Sequence, residues 1–159
     1  MKTIKLPKMS EMEIREAIYS HNLCRIAFID DDFPYISPFQ YVCIDNTLYF
    51  HFTDYGKKRE LLSKNPNVCV SIENFEPDLS SYYFISMQGV LKIIKDKALK
   101  HKVMNKMVQI ARENFSTNFL SAHGFKKKGG WDNFKTEDQI IYKFEVVGKL
   151  VGLKSFEER

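Results

Sequence analysis

Three consecutive cations, Lys57-Lys58-Arg59, follow Gly56 closely after Thr53, at the point where a strand pattern gives way to a helical one. Cations in a first helical turn oppose the helix dipole by about 0.3–1 kcal/mol each, and a bound anion reverses that sign. Free amides at a helix start, a threonine hydroxyl and lysines together suit a phosphate. A solvated basic turn has the same sequence, so this fragment alone leaves both readings open. Upstream, Pro34-Tyr35-Ile36-Ser37-Pro38-Phe39-Gln40-Tyr41 carries two prolines within a strand pattern. Proline cannot donate to a ladder, which predicts an irregular or edge strand around Pro38. Backbone groups left unpaired there suit the polar rim of a flat heterocycle, with Phe39 or Tyr41 beside its apolar parts. An ordinary edge strand is the alternative.

Other chemistries find less support. Cys24, Cys43 and Cys69 include no Cys-x-x-Cys pair, which argues against structural zinc and dithiol redox chemistry. Each lies in an apolar run and is expected as a buried, reduced thiol. Asp30-Asp31-Asp32 lacks the spaced ligands of a calcium loop and reads as a hairpin turn. His21 reads as a capping or surface residue, His101 as solvated among lysines, and His123, beside Gly124, is uninformative. No Ser-His-Asp or Cys-His spacing and no metal site emerge. Lys92–Lys106 and Lys126–Lys128 are lysine-rich, yet the net charge is only +4 and the helix lysines mostly oppose its apolar face, so nucleic acid is not the expected partner.

The elements that must position these residues are mostly strands. The 159 residues fit one domain, 1–159, at roughly 100–200 residues per domain. Thirteen Phe and eight Tyr against seven Gly lean toward β structure. Ser10-Glu11-Met12-Glu13 is a capping box, Met9 and Ile14 hold the staple positions, and Ile14, Ala17 and Ile18 form the stripe of a first helix ending near Asn22. Strands are expected over Leu23–Ile29, Pro34–Ile44, Thr47–Phe52, Val68–Glu73, Tyr82–Ile94 (bent near Gly89) and Gln139–Val147, with a short one over Leu150–Leu153. In the third, Leu48, Phe50 and Phe52 share one face and Tyr49 and His51 the other. A short helix begins near Gly56 and stops at Asn65-Pro66, and an amphipathic one spans Lys97 to about Glu113. Ser116–Asn133 reads as loop. The expected fold is mainly β (α+β): a six- to seven-stranded antiparallel sheet, closed toward a barrel, with about three short helices. Met1 to Pro7 has no apolar stretch of a signal peptide, and no run reaches the roughly 18 apolar residues of a membrane helix, so a cytoplasmic protein is expected.

Arg25-Ile26-Ala27-Phe28, Pro34-Tyr35-Ile36-Ser37-Pro38, Leu48-Tyr49-Phe50-His51, Gly56-Lys57-Lys58 and Asn65-Pro66-Asn67-Val68 stand in an order that resembles the pyridoxamine 5′-phosphate oxidase-like family of FMN-binding split barrels. The likeness is greatest to the branch containing nitroimidazole-resistance proteins and covers roughly Leu23 to Ile94. It implies a split-barrel homodimer with two FMN sites at the subunit interface. Ser37, Pro38 and Phe39 would lie along the isoalloxazine; His51, Phe52 and Thr53 would pass beside the flavin and ribityl chain; Lys57 and Lys58 would hold the phosphate. The partner subunit would contribute Gln88, and Trp131 would cover the flavin from either chain. His51, the only histidine in the motif, is the candidate acid/base group.

The tail Lys143–Arg159 departs from the family by lacking the Arg- and Trp-bearing C-terminal pattern of true pyridoxamine phosphate oxidases, which sets that reaction aside. Members of the fold also take a deazaflavin or haem. The leading expectation is an FMN-dependent oxidoreductase acting on a small molecule, with NADH or NADPH as a candidate electron donor. The alternatives are a flavin-binding storage or sensing protein and, further off, a small barrel that stacks nucleic-acid bases.

Overall fold

In a computed structural model of the chain, residues 3–135 and 139–157 are described. Met1 and Lys2, at the start of the segment tested for a signal peptide, and Glu158 and Arg159, at the end of the tail, lie outside the described residues. The capping box forms as its spacing requires: Glu13 N donates to Ser10 Oγ at 3.2 Å and Ser10 N donates to Glu13 Oε2 at 2.7 Å, opening α1 (Glu11–Ser20). The same Glu13 carboxylate accepts from Lys154 Nζ at 2.5 Å, tying the helix start to the last strand. Ser10→Ala is expected to lower unfolding free energy by about 1 kcal/mol, read as a reduced urea midpoint with an unchanged slope.

Seven strands follow: β1 (Leu23–Phe28), β2 (Tyr35–Gln40), β3 (Val42–Ile44), β4 (Thr47–Phe52), β5 (Asn67–Phe75), β6 (Tyr82–Ile93) and β7 (Ile140–Lys154). Between them lie α2 (Lys57–Lys64), α3 (Lys97–Asn114) and two 3-10 helices, Thr117–His123 and Gly130–Lys135. The strands form one antiparallel sheet in the order β2-β1-β5-β6-β7-β4-β3, curled into a half-barrel. Its tight turns are where local residues permit them. Asp30 O accepts from Phe33 N in the aspartate turn, and Asp45-Asn46 takes positive φ at both positions between β3 and β4. The bend foreseen near Gly89 is a register shift between Met87 and Gly89, where a Cβ would stand 2.5 Å from the Phe144 ring and closer still to Glu145 O.

Three expectations need correction. Pro34–Ile44 is two strands: Tyr41 leaves the β1 ladder, its N–H donating to Asn22 O and its hydroxyl to Ile18 O, so the chain turns a corner and β3 pairs with β4 instead. Gln139–Val147 and Leu150–Leu153 are one continuous strand, because β6 supplies partners along its length either side of the bulge. Ser116–Asn133 is not simply loop; its two 3-10 helices bury Leu120, His123, Trp131 and Phe134.

Two cores result. Inside the half-barrel pack Ile26, Phe28, Phe39, Phe50, Phe52, Val70 and Met87 among others. On the outer face of β3, β4 and β7, Tyr49 and Ile141 meet Val103 and Met107 of α3 and Leu120 and Phe134 of the 3-10 helices. Strand β4 is therefore buried on both faces, which explains its uninterrupted apolar and aromatic run. Among the described residues no helix is long and apolar enough to cross a membrane.

Candidate functional site

The half-barrel is split between β2 and β4. Strand β2 ends the sheet, and β4 past Tyr49 has a ladder partner, β7, on one side only. Side chains rather than a ladder join the two: the Phe39 ring lies 4.8 Å from Phe52 and 5.9 Å from Phe50, centroid to centroid. Over this seam a crevice of about 20 Å³ is lined by Pro38, Phe39 and Gln40, by His51, Phe52 and Thr53, by Lys58, and by Phe119, Ala122 and His123 of the first 3-10 helix.

The charge of the site sits on Lys58. Gly56, at φ 92°, opens α2 with no side-chain cap, so the first-turn amides have no capping acceptor. Lys57 turns away to an ion pair with Asp30 at 2.8 Å, which raises its pKa. Arg59 donates to the Tyr142 hydroxyl and lies 5.8 Å from that ring. Lys58 is half-buried with its Nζ 4.8 Å above the Phe39 ring, and among the described residues it has no ion-pair or hydrogen-bond partner. Burial lowers its pKa, as expected for a cation pulled out of water without compensation. The Thr53 hydroxyl donates to Tyr55 O at 2.8 Å, leaving its lone pairs toward other donors.

Behind the crevice runs a buried polar chain. Gln40 Nε2 donates to Met107 O at 3.1 Å, which turns its Oε1 toward His123 Nε2 at 3.0 Å. That nitrogen must carry the proton, so a neutral His123 presents a bare Nδ1 to His51 Nδ1, 3.3 Å away, and His51 is the donor there. His51 Nε2 lies 2.7 Å from Gln139 Oε1; with its proton on Nδ1, a neutral His51 requires the opposite orientation of that carboxamide, its NH₂ donating to Nε2. Burial holds His51 down to about 4 and His123 to about 3, the latter lowered further by His51 and Lys58. Both rings are neutral at pH 7 and packed by aromatics: Phe125 stacks on His51 at 5.5 Å, and Phe134 stands 4.9 Å from His51 and 4.8 Å from His123.

Of the residues singled out in the sequence, Pro38, Phe39, His51, Phe52, Thr53 and Lys58 meet at the crevice. Ser37, buried in β2, is next to them in chain but not in the lining, and Lys57 belongs to the Asp30 pair. Gln88 is exposed at the β6 bulge, where its Oε1 accepts from Lys149 N at 3.2 Å, in a separate groove with Asp30, Asp31 and Asp32. Trp131 is buried 6.3 Å from the His123 ring rather than in the crevice. Sequence reasoning missed His123, Gln40 and Phe119. Gln40 left a signal, an amide beside the aromatics Phe39 and Tyr41; His123 left none, since it meets His51 across 72 residues of chain. Among the described residues no three His, Cys, Asp or Glu side chains come together as a group that could hold a metal ion.

A split antiparallel half-barrel with a crevice along its seam is the class defined by this geometry. Residues 10–123 match the sequence model of the pyridoxamine 5′-phosphate oxidase family, and the chain belongs to that family. Solved structures share the fold. A FAD-binding protein from Mesorhizobium loti aligns with TM-score 0.64 at 18% identity, over 96% of this chain and 100% of that one. A Bacteroides thetaiotaomicron protein provisionally assigned to 5-nitroimidazole antibiotic resistance aligns with TM-score 0.64 at 21% identity, over 98% and 93%. HutZ, the heme storage protein from Vibrio cholerae, aligns with TM-score 0.63 at 16% identity, over 92% and 95%. No curated protein sequence matches the chain.

Proposed function

We propose that the protein is a flavin-binding oxidoreductase that takes FMN along the β2–β4 seam, with the phosphate on Lys58. The observation that carries this reading is Lys58 itself, a half-buried cation with no anionic partner among the described residues, beside the uncapped start of α2. A phosphate there would neutralise the lysine. The polar groups thus suit the phosphate end of FMN. The aromatic seam suits its rings, although the crevice, at about 20 Å³, is far below the roughly 300–1,000 Å³ of ligand pockets. Bound flavin would supply hydride or electron transfer, and the chain would supply position and electrostatics. Pro38 and Phe39 would orient the ring edge, and His51, beside the seam, would be the candidate group for handling a proton.

A homodimer belongs to the same proposal. Ile36, Val146, Val147, Leu150 and Val151 expose apolar side chains on β2 and β7, and Val147 is 66% exposed. Such a surface suits a second copy, which would also bring its Gln88 toward the seam. The three cysteines are unpaired, in keeping with a reducing cytoplasm. Part of the basic run is engaged within the fold, which weighs against nucleic acid as the partner: Lys92 pairs with Glu145 at 2.6 Å and Lys106 donates to Cys43 O at 2.7 Å.

The test is an absorption spectrum of the purified protein with mass identification of what co-purifies. A flavin band with a mass of FMN is expected; deazaflavin or haem would replace the cofactor in this reading. Bleaching of the band by NADH or NADPH, reversed by an acceptor, separates an oxidoreductase from a protein that only stores or senses flavin.

A further inference from the structure

One segment closes over the crevice. Phe119, Ala122 and His123 of the seven-residue helix Thr117–His123 form its outer wall, opposite Phe39, His51 and Lys58. Residues 117, 118, 121 and 122 are exposed, so the segment is a single layer with solvent behind much of it. Among the described residues, its side-chain hydrogen bonds to the β2–β4 wall are both made by His123, to Gln40 and to His51. It is bounded by Ser116, whose side chain accepts from Asn118 N, and by Gly124 at φ 82°, a conformation that other residues rarely adopt. Leu120 of the same segment is buried in the core beside α3.

We infer that Thr117–His123 is a displaceable cover over the Phe39–His51–Lys58 crevice, opening to admit a planar ligand and held shut by the neutral His123–His51 and His123–Gln40 contacts. The inference rests on the flavin reading for the identity of what enters, not for the opening itself. Opening must also part His123 from the Trp131 and Phe134 rings, yet local opening of a seven-residue segment remains less demanding than global unfolding. The lock also accounts for two buried histidines in a place where two apolar residues would pack without any desolvated nitrogen.

Opening is read by diethyl pyrocarbonate, which modifies neutral imidazole, with peptide mass mapping of each histidine; exposed His101 is the internal control. Phe119→Ala removes the largest side chain of the cover from the crevice. Gly124→Ala strains the closed form independently, since its Cβ would lie 2.6 Å from Thr53 Cγ2. Both variants are expected to modify at His51 about tenfold faster than the wild type, with His101 unchanged and with the increase exceeding that in global unfolding measured by urea. Wild-type rates at His51 in both variants, or increases that only follow lost global stability, overturn the cover. Stopped-flow FMN binding separates the two ideas. Observed rates that level off with FMN concentration, at a plateau raised in both variants, support the cover. Rates linear in FMN and equal in all three proteins overturn it and leave the flavin reading standing. Faster His51 modification with no FMN binding in any of them leaves the cover standing and removes the flavin.

Discussion

Between pH 6.5 and 4.5 the protein is expected to lose about 4–5 kcal/mol of unfolding free energy, a large share of the 5–15 kcal/mol typical of a native domain. His51 and His123 are held neutral by burial, at about 4 and about 3, whereas in the unfolded chain each titrates near 6.5. Below pH 6.5 the unfolded chain therefore binds more protons than the folded one, and stability falls as acid is added. Each histidine contributes about 1.4 kcal/mol per pH unit while only the unfolded form takes up its proton. The loss is complete once pH passes below the folded values, and none of it is present above the unfolded ones. The carboxylates with lowered pKa values, Glu13, Asp78, Asp132 and Glu145, have ordinary values of 4.5 or below, so their contribution belongs at the acid end of this window and beneath it. Urea unfolding at pH 7, 5.5 and 4.5 checks this, and a flat profile down to 4.5 contradicts the neutral pair. Because the rings share the Nδ1···Nδ1 contact, the protons enter as a property of the pair.

Lys58→Ala is expected to weaken FMN binding about 10- to 150-fold, the equivalent of the 1.5–3 kcal/mol of a charge-assisted hydrogen bond. Lys57→Ala should change it less than about threefold, because Asp30 already holds that ammonium and a surface pair contributes little. The contrast between adjacent lysines makes the prediction specific. General loss of positive charge would affect both alike, and a folding defect would show in the melting curve of the apoprotein. Equal effects of the two substitutions would move the phosphate away from Lys58.

Much of this fold could be read from local pattern. The Ser10–Glu13 box, the alternation of Leu48, Phe50 and Phe52 against Tyr49 and His51, and the stripe of α3 are each fixed by residues a few positions apart. The first half of the site was legible for the same reason: Pro38 lies on β2, His51 on β4, Thr53 just after it and Lys58 on α2, and the strand-to-helix join places the last three together. What local pattern could not supply was the outer wall. The 3-10 segments have no sustained periodicity, so Phe119 and His123 carry no stripe that announces burial. The corner at Tyr41 depends on its hydroxyl reaching Ile18 O in α1, a contact between distant parts of the chain. The division of labour between Lys57 and Lys58 likewise depends on Asp30, which the sheet brings back beside α2.

The central claim is that the seam binds a flavin through its phosphate. Titrating the apoprotein with FMN and, in parallel, with riboflavin, which has the same rings and no phosphate, tests it most directly. Flavin fluorescence should be quenched by both, with FMN binding at least about tenfold more tightly, as one charge-assisted phosphate contact requires. Equal affinity for the two would contradict the assignment of Lys58, and binding of neither would contradict the flavin itself.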